Sequence, residues 1–149
     1  MIQHKSVSTG HPDFTKLVEK LDAYLAVTDG EEHDFYHQYN GLSGLDYAVV
    51  FYDNDTPVGC GAFKNHGDKS VEVKRMYVLP EARRKGIAGE ILAALEKEAR
   101  RRGKESCILE TGKRQKEAVR FYRKCGYKVI PNYGQYIGMD NSICFEKRM

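Results

Sequence analysis

No stretch of this 149-residue sequence stays apolar long enough to span a membrane. The opening MIQHKSVSTGHPDF lacks the apolar core of a secretory leader. Together these absences predict a cytoplasmic protein with no membrane partner. There is no CxxC pair either: Cys60, Cys107, Cys125 and Cys144 are scattered, with no histidine at zinc-ligand spacing. The expectation is reduced, mostly buried thiols and no metal site. Charge of one sign is also scarce, since 24 Lys and Arg face 21 Asp and Glu for a net +3, too small an excess to point to nucleic acid. The basic run KEARRRGKE (97–105) is broken by acids and falls at a predicted helix C-terminus, where cations complement the dipole. No internal repeat, linker or low-complexity segment appears, and neither a Walker loop nor a GxGxxG turn is present.

What remains is 41% hydrophobic and 30% charged, the make-up of a globular domain, and the length predicts one domain over residues 1–149. A short strand is expected at Gln3–Val7. Phe14, Leu17, Val18, Leu21 and Leu25 then recur at helical spacing behind Asp13, read as the N-cap, with Asp29-Gly30 as the stop. EEHDFYHQYN (31–40) reads as a second short helix. The period then changes: LDYAVVFYD (45–53) and PVGCGAFKN (57–65) form a predicted hairpin, followed by SVEVKRMYVLP (70–80). Helical spacing returns from Gly86 to Gly103, then come SCILETG (106–112) as a strand, EAVRFYRKCG (117–126) as a helix, and YKVI and ICFEKRM as strands. The order β-α-α-β-β-β-α-β-α-β-β is a mixed α/β domain, with a crossover over 70–111.

The chemistry concentrates at EARRKGIAGEIL (81–92). A helix entrance leaves backbone N–H groups unpaired and carries partial positive charge. Gly86, Ala88 and Gly89 keep side chains clear of it while Arg83, Arg84 and Lys85 add full charges. On these residues alone a phosphate cradle and a plain solvated loop stand level.

VKRMYVLPEARRKGIAGEIL followed by ETGKRQKEAVRFYRKCGY resembles the GNAT superfamily of N-acetyltransferases. The R/Q-x-x-G-x-G/A signature is matched by Arg83-x-x-Gly86-x-Ala88, and the A-x-x-F-Y-x-x-x-G-F/Y element by Ala118 to Tyr127. The resemblance implies a mixed α+β fold: a central, mostly antiparallel sheet of about six to seven strands flanked by about four helices. It implies acetyl-coenzyme A as cofactor, with the pyrophosphate on Arg83, Arg84, Lys85, Gly86, Ile87, Ala88 and Gly89. The pantetheine arm would pair with the backbone of Met76 and Val78, beside Tyr77, where the family parts two neighbouring strands, here 70–78 and 106–111. Gln115 stands where many relatives have asparagine, and Phe121 and Lys124 complete the implied cofactor set; Lys116 and Lys124 either reach the 3′-phosphate or solvate their helix.

Two catalytic roles follow from the resemblance. Glu72 is the implied base and Tyr122 the implied proton donor to the leaving thiolate, with an oxyanion donor at the Met76 or Tyr77 N–H. Their structural alternatives are a strand glutamate paired with Lys74 or Arg75, and a tyrosine packing at a helix and strand contact. Strand alternation puts Glu72, Lys74, Met76 and Val78 on one face, unless a bulge near Met76 changes the later part. The implied acceptor pocket draws on HDFYHQYNG (33–41) and PNYGQYIGMDNS (131–142), hence Tyr36, Tyr133 and Tyr136, with Arg75 either holding a carboxylate or serving the fold. The expected acceptor is a small primary amine such as an amino acid or amine metabolite. The alternatives are a protein or peptide N-acetyltransferase and a non-catalytic acyl-coenzyme A sensor. A homodimer is compatible with this fold.

Overall fold

The computed structural model describes residues 1–29 and 44–149. Along the chain run β1 (Ile2–Val7), α1 (Pro12–Asp29), β2 (Tyr47–Asp53), β3 (Thr56–His66), β4 (Ser70–Val78), α2 (Ile87–Arg101), β5 (Ser106–Gly112), α3 (Lys116–Lys124), β6 (Lys128–Ile130) and β7 (Ser142–Arg148). The helix expected over 31–40 lies outside the described residues. The strands form one seven-stranded sheet in the order β1-β2-β3-β4-β5-β7-β6. Every pairing is antiparallel except β4 with β5, so the expected mixed sheet and its crossover are both present.

Local chemistry explains the boundaries. Asn54 and Asp55 take positive φ of 53° and 81°, the left-handed pair that a tight two-residue hairpin turn needs between β2 and β3. Helix α1 begins one residue before the predicted cap. Pro12 has no N–H to lose and suits the first helical position, so His11 takes the capping place. Its Nδ1 accepts from the Asp13 N–H at 3.1 Å, and the Asp13 carboxylate is left to accept from the Tyr52 hydroxyl at 2.7 Å, tying α1 to the sheet. Phe14, Leu17, Val18 and Leu21 are buried along one side of α1, and Ile87, Ile91, Leu92, Leu95 and Ala99 along one side of α2.

The two helices use opposite faces of the sheet. A Cβ at Gly59 or Gly61 would run into Ile91, so α2 packs against the face these glycines leave bare. Asp13 and Asp22 of α1 bind Tyr52 and Arg75 on the other face.

A bulge interrupts this alternation. Cys60 faces Tyr77 but Ala62 faces Lys74, so Arg75 and Met76 together oppose Gly61, with Arg75 at φ 59°. Glu72, Lys74 and Arg75 therefore share the α1 side, whereas Met76 and Val78 turn to the α2 side. The simple alternation over 72–78 holds only as far as Lys74. Strands β4 and β5 pair at Ser70–Ser106, Val71–Cys107 and Glu72–Ile108 and no further. Beyond that point the sheet opens along 73–78 and 109–112.

Candidate active site

Two spaces meet at this opening. One is a cavity of about 130 Å³ on the α1 side, walled by Leu21 and Leu25 of α1, Glu72, Lys74 and Arg75 of β4, and the end of β5. The other is a groove of about 800 Å³ running between Tyr77, Val78, Arg83, Arg84 and Ala88 on one bank and Arg114, Lys116 and Phe121 on the other. Met76, Gln115 and Tyr122 line both.

Burial makes the chemistry of the cavity. Glu72 is only 2% exposed. Its Oε2 accepts from the Tyr133 hydroxyl at 2.7 Å, while Oε1 lies 3.7 Å from Lys64 Nζ and 3.9 Å from Lys74 Nζ. Glu72 is thus ion-paired, with Lys74 as the structural alternative expected and with Lys64 besides, and it also lines the cavity. Desolvation lowers the pKa of Lys74, against the pull of Glu72. Tyr133 is pushed well up, first by burial and then by the Glu72 charge, as befits a hydroxyl that donates to a carboxylate. Tyr136 is 3% exposed, lines the cavity and meets Tyr133 edge to face at 5.6 Å. Tyr122 is buried and its hydroxyl pKa is raised, chiefly by desolvation. Arg75 Nη2 donates to Asp22 Oδ1 at 2.8 Å. Tyr36 lies outside the described residues.

Between Arg84 and Ala88, which line the groove, Gly86 takes φ 80° as the N-cap of α2, a left-handed conformation that glycine adopts without strain. Its turn and the first N–H groups of α2 sit beside Arg83 and Arg84. Arg83 Nε donates to the Val78 carbonyl at 2.9 Å, and its guanidinium lies 5.7 Å from the centre of the Tyr77 ring. Of the Val78 backbone, expected to pair with a cofactor arm, the carbonyl therefore already has a donor. Ile87 is 2% exposed and packs into the core, so its side chain faces away from the groove and only its backbone remains for an anion. Lys85, Gly86, Gly89 and Lys124 are absent from the groove lining; Lys85 and Lys124 are exposed.

Sequence reasoning missed contributors from three parts of the chain. Glu110 and Thr111 line the cavity from the parted end of β5, a position that the strand-parting argument already singled out. Arg114 stands in the groove and donates to the Thr28 carbonyl at 3.3 Å. Leu21 and Tyr24 reach the groove from α1, which no local pattern signals.

Comparison with known proteins gives a consistent answer. The acetyltransferase (GNAT) family matches residues 14–127. An IAA acetyltransferase of Azospirillum brasilense is 34% identical over 134 residues, 89% of this chain and 88% of that one. Among solved structures, a Klebsiella pneumoniae protein assigned as an acyl-CoA N-acyltransferase superposes with a TM-score of 0.83 at 27% identity, covering 99% and 97% of the two chains. The PaiA N-acetyltransferase of Thermoplasma acidophilum, solved with coenzyme A, superposes with a TM-score of 0.77 at 20% identity over 100% and 99%. The family match spans both sequence motifs and the strands that part between them, and the chain belongs to the GNAT family of acetyltransferases and is an acyltransferase.

Proposed function

We propose that this acyltransferase moves an acetyl group from acetyl-coenzyme A to the primary amine of a small molecule, by direct attack with both substrates bound. One observation carries the reading: Met76, Gln115 and Tyr122 line both the basic groove and the cavity that holds Glu72, so donor and acceptor can meet at one point.

The residues present fit the cofactor. The β4 edge beyond Glu72 has no β5 partner, and an extended arm supplies the missing strand contacts. Arg83, Arg84, Arg114 and Lys116 bring four cations to the groove, and the α2 N-terminus adds oriented N–H groups for a pyrophosphate. The Thermoplasma acidophilum protein of the same fold was solved with coenzyme A, which supports the choice of cofactor. When bound, the cofactor supplies an acetyl thioester as acyl donor.

The remaining work falls to the chain. An amine of pKa near 10.4 is neutral in only about one molecule in a few thousand at pH 7, so a proton acceptor is needed. Glu72 takes that proton at Oε1 or Oε2, held in place by Tyr133. Tyr122 keeps its proton because burial disfavours tyrosinate, and it holds that proton at the junction, where a thiolate requires it. A backbone N–H at Met76 or Tyr77, beside the bulge, is the oxyanion donor.

Calorimetric titration of acetyl-coenzyme A, followed by thiol release with a panel of amines, tests the whole reading. We expect binding that an Arg83→Ala, Gly86→Glu variant loses while staying folded, and turnover with small amines in preference to peptide lysines. No binding to the wild-type protein overturns the reading.

A further inference from the structure

We infer that the acceptor carries a carboxylate and that Arg75 binds it, which makes the substrate an amino acid rather than a bare amine; this deepens, and rests on, the acetyl-transfer reading above. The Arg75 side chain is 3% exposed. One of its nitrogens is accounted for by Asp22. The other two, Nε and Nη1, are buried with no hydrogen-bond partner among the described residues. A guanidinium stays charged at any working pH and has no way to shed those donors. Buried polar groups in folded proteins are nearly always satisfied, so two orphan donors on one side chain point to a partner that arrives later.

The backbone makes the same case independently. Arg75 sits at φ 59°, a region that long side chains rarely adopt, and strain of this kind gathers at ligand sites. Its effect is specific. Without the bulge, Arg75 would alternate away from Lys74 onto the α2 side of the sheet; with it, Arg75 joins Glu72 and Lys74 on the cavity wall. A cation with unused donors and a buried carboxylate then stand three residues apart on one face. That is the complement of a zwitterion: Glu72 meets the amine and Arg75 the carboxylate. Arg75 lines the cavity, and its two unpaired nitrogens are the donors that a carboxylate bound there would take. A lysine at the end of a peptide side chain offers no such anion.

The test compares matched acceptors: an amino acid, its carboxamide and its decarboxylated amine, assayed by thiol release. For the wild-type protein we expect kcat/KM to favour the carboxylate by at least about tenfold, the worth of one charge-assisted contact. Arg75→Gln should remove that preference by raising KM for the amino acid alone, and Arg75→Lys should restore part of it. Acetyl-coenzyme A binding should be unchanged in both. Equal turnover of all three wild-type acceptors overturns the inference and leaves acetyl transfer standing. Cofactor binding without turnover of any of the three overturns it as well. Uniform loss with all acceptors in a folded Arg75 variant assigns Arg75 to the scaffold and also overturns it. Because the wild-type comparison needs no variant, misfolding of Arg75→Gln does not shield the inference. Failure to bind acetyl-coenzyme A at all overturns the underlying reading and this inference with it.

Discussion

The Tyr133 hydroxyl donates to Glu72 Oε2 across 2.7 Å, joining the segment after β6 to a carboxylate buried on β4, 61 residues away. Held this way, and flanked by Lys64 and Lys74, Glu72 has little rotational freedom. If it is the base, Glu72→Gln keeps its volume and its acceptor for Tyr133 but loses proton affinity. We predict a fall in kcat/KM of about 10²- to 10⁴-fold. Tyr133→Phe retains the ring contacts with Tyr136 and His66 and loses only the hydroxyl. A smaller loss, about tenfold in kcat, is expected. Acetyl-coenzyme A affinity, read by calorimetry, should be the same in both; full turnover by Glu72→Gln would remove the base assignment.

Tyr122 offers a separate measurement because its hydroxyl pKa is raised by burial, with the charges of Cys125 and Glu110 adding to it. The unfolded chain ionises its tyrosines near pH 10. Below that pH both states hold the proton and the stabilisation is complete. Above it the unfolded state alone gives the proton up, so stability falls as pH rises. Melting temperature should therefore drop above about pH 10, and less steeply in Tyr122→Phe. In turnover, Tyr122→Phe should lose about 10²-fold in kcat at neutral pH with cofactor affinity unchanged. Wild-type kcat in that variant would end its role as proton donor.

Ala88 separates fold from cofactor binding. It stands in the first turn of α2 and lines the groove. A glutamate there is well placed for the helix, since anions near an N-terminus are stabilising by about 0.3–1 kcal/mol. The same charge faces the place proposed for a pyrophosphate. Ala88→Glu should keep the wild-type melting temperature within a few degrees and weaken acetyl-coenzyme A binding by at least about tenfold. Undiminished binding would move the anion site away from this turn.

Periodicity made the elements legible: SCILETG is β5 at both ends, and the Asn54-Asp55 turn and the glycines at 86, 103 and 126 fall at predicted boundaries. The capping error at α1 came from reading Asp13 by type, when Pro12 had already fixed the first helical position. The site was legible where it depends on consecutive residues. Tyr122, Arg83 and Ala88 line the groove as the motifs suggested, and Glu72, Arg75 and Tyr136 line the cavity. It was not legible where it depends on distant packing. Nothing local tells that Ile87 turns into the core, that Arg83 binds Val78, or that Leu21 and Tyr24 reach the groove from 50 or more residues away. Lys64 meets Glu72 only through the β3–β4 register.

That register rests on Gly61, which makes it a sensitive point for the whole site. A Cβ there would lie 2.7 Å from Ile91, 2.9 Å from Met76 Sδ and 3.0 Å from Leu95, closer than side chains tolerate. The glycine is needed because the bulge sends Met76 to the α2 side, into the space that a side chain at 61 would occupy. Gly61→Ala must push Met76, α2 or both aside. Overpacking of this kind costs about 1–3 kcal/mol, so the denaturation midpoint should fall with little change in slope. Met76 also lines the junction of groove and cavity, and kcat should fall with stability. Pairing Gly61→Ala with Met76→Ala, which removes the opposing sulfur, should recover part of the lost stability through coupling between the two sites. Strict additivity of the two changes would show that Met76 does not share the space beside Gly61.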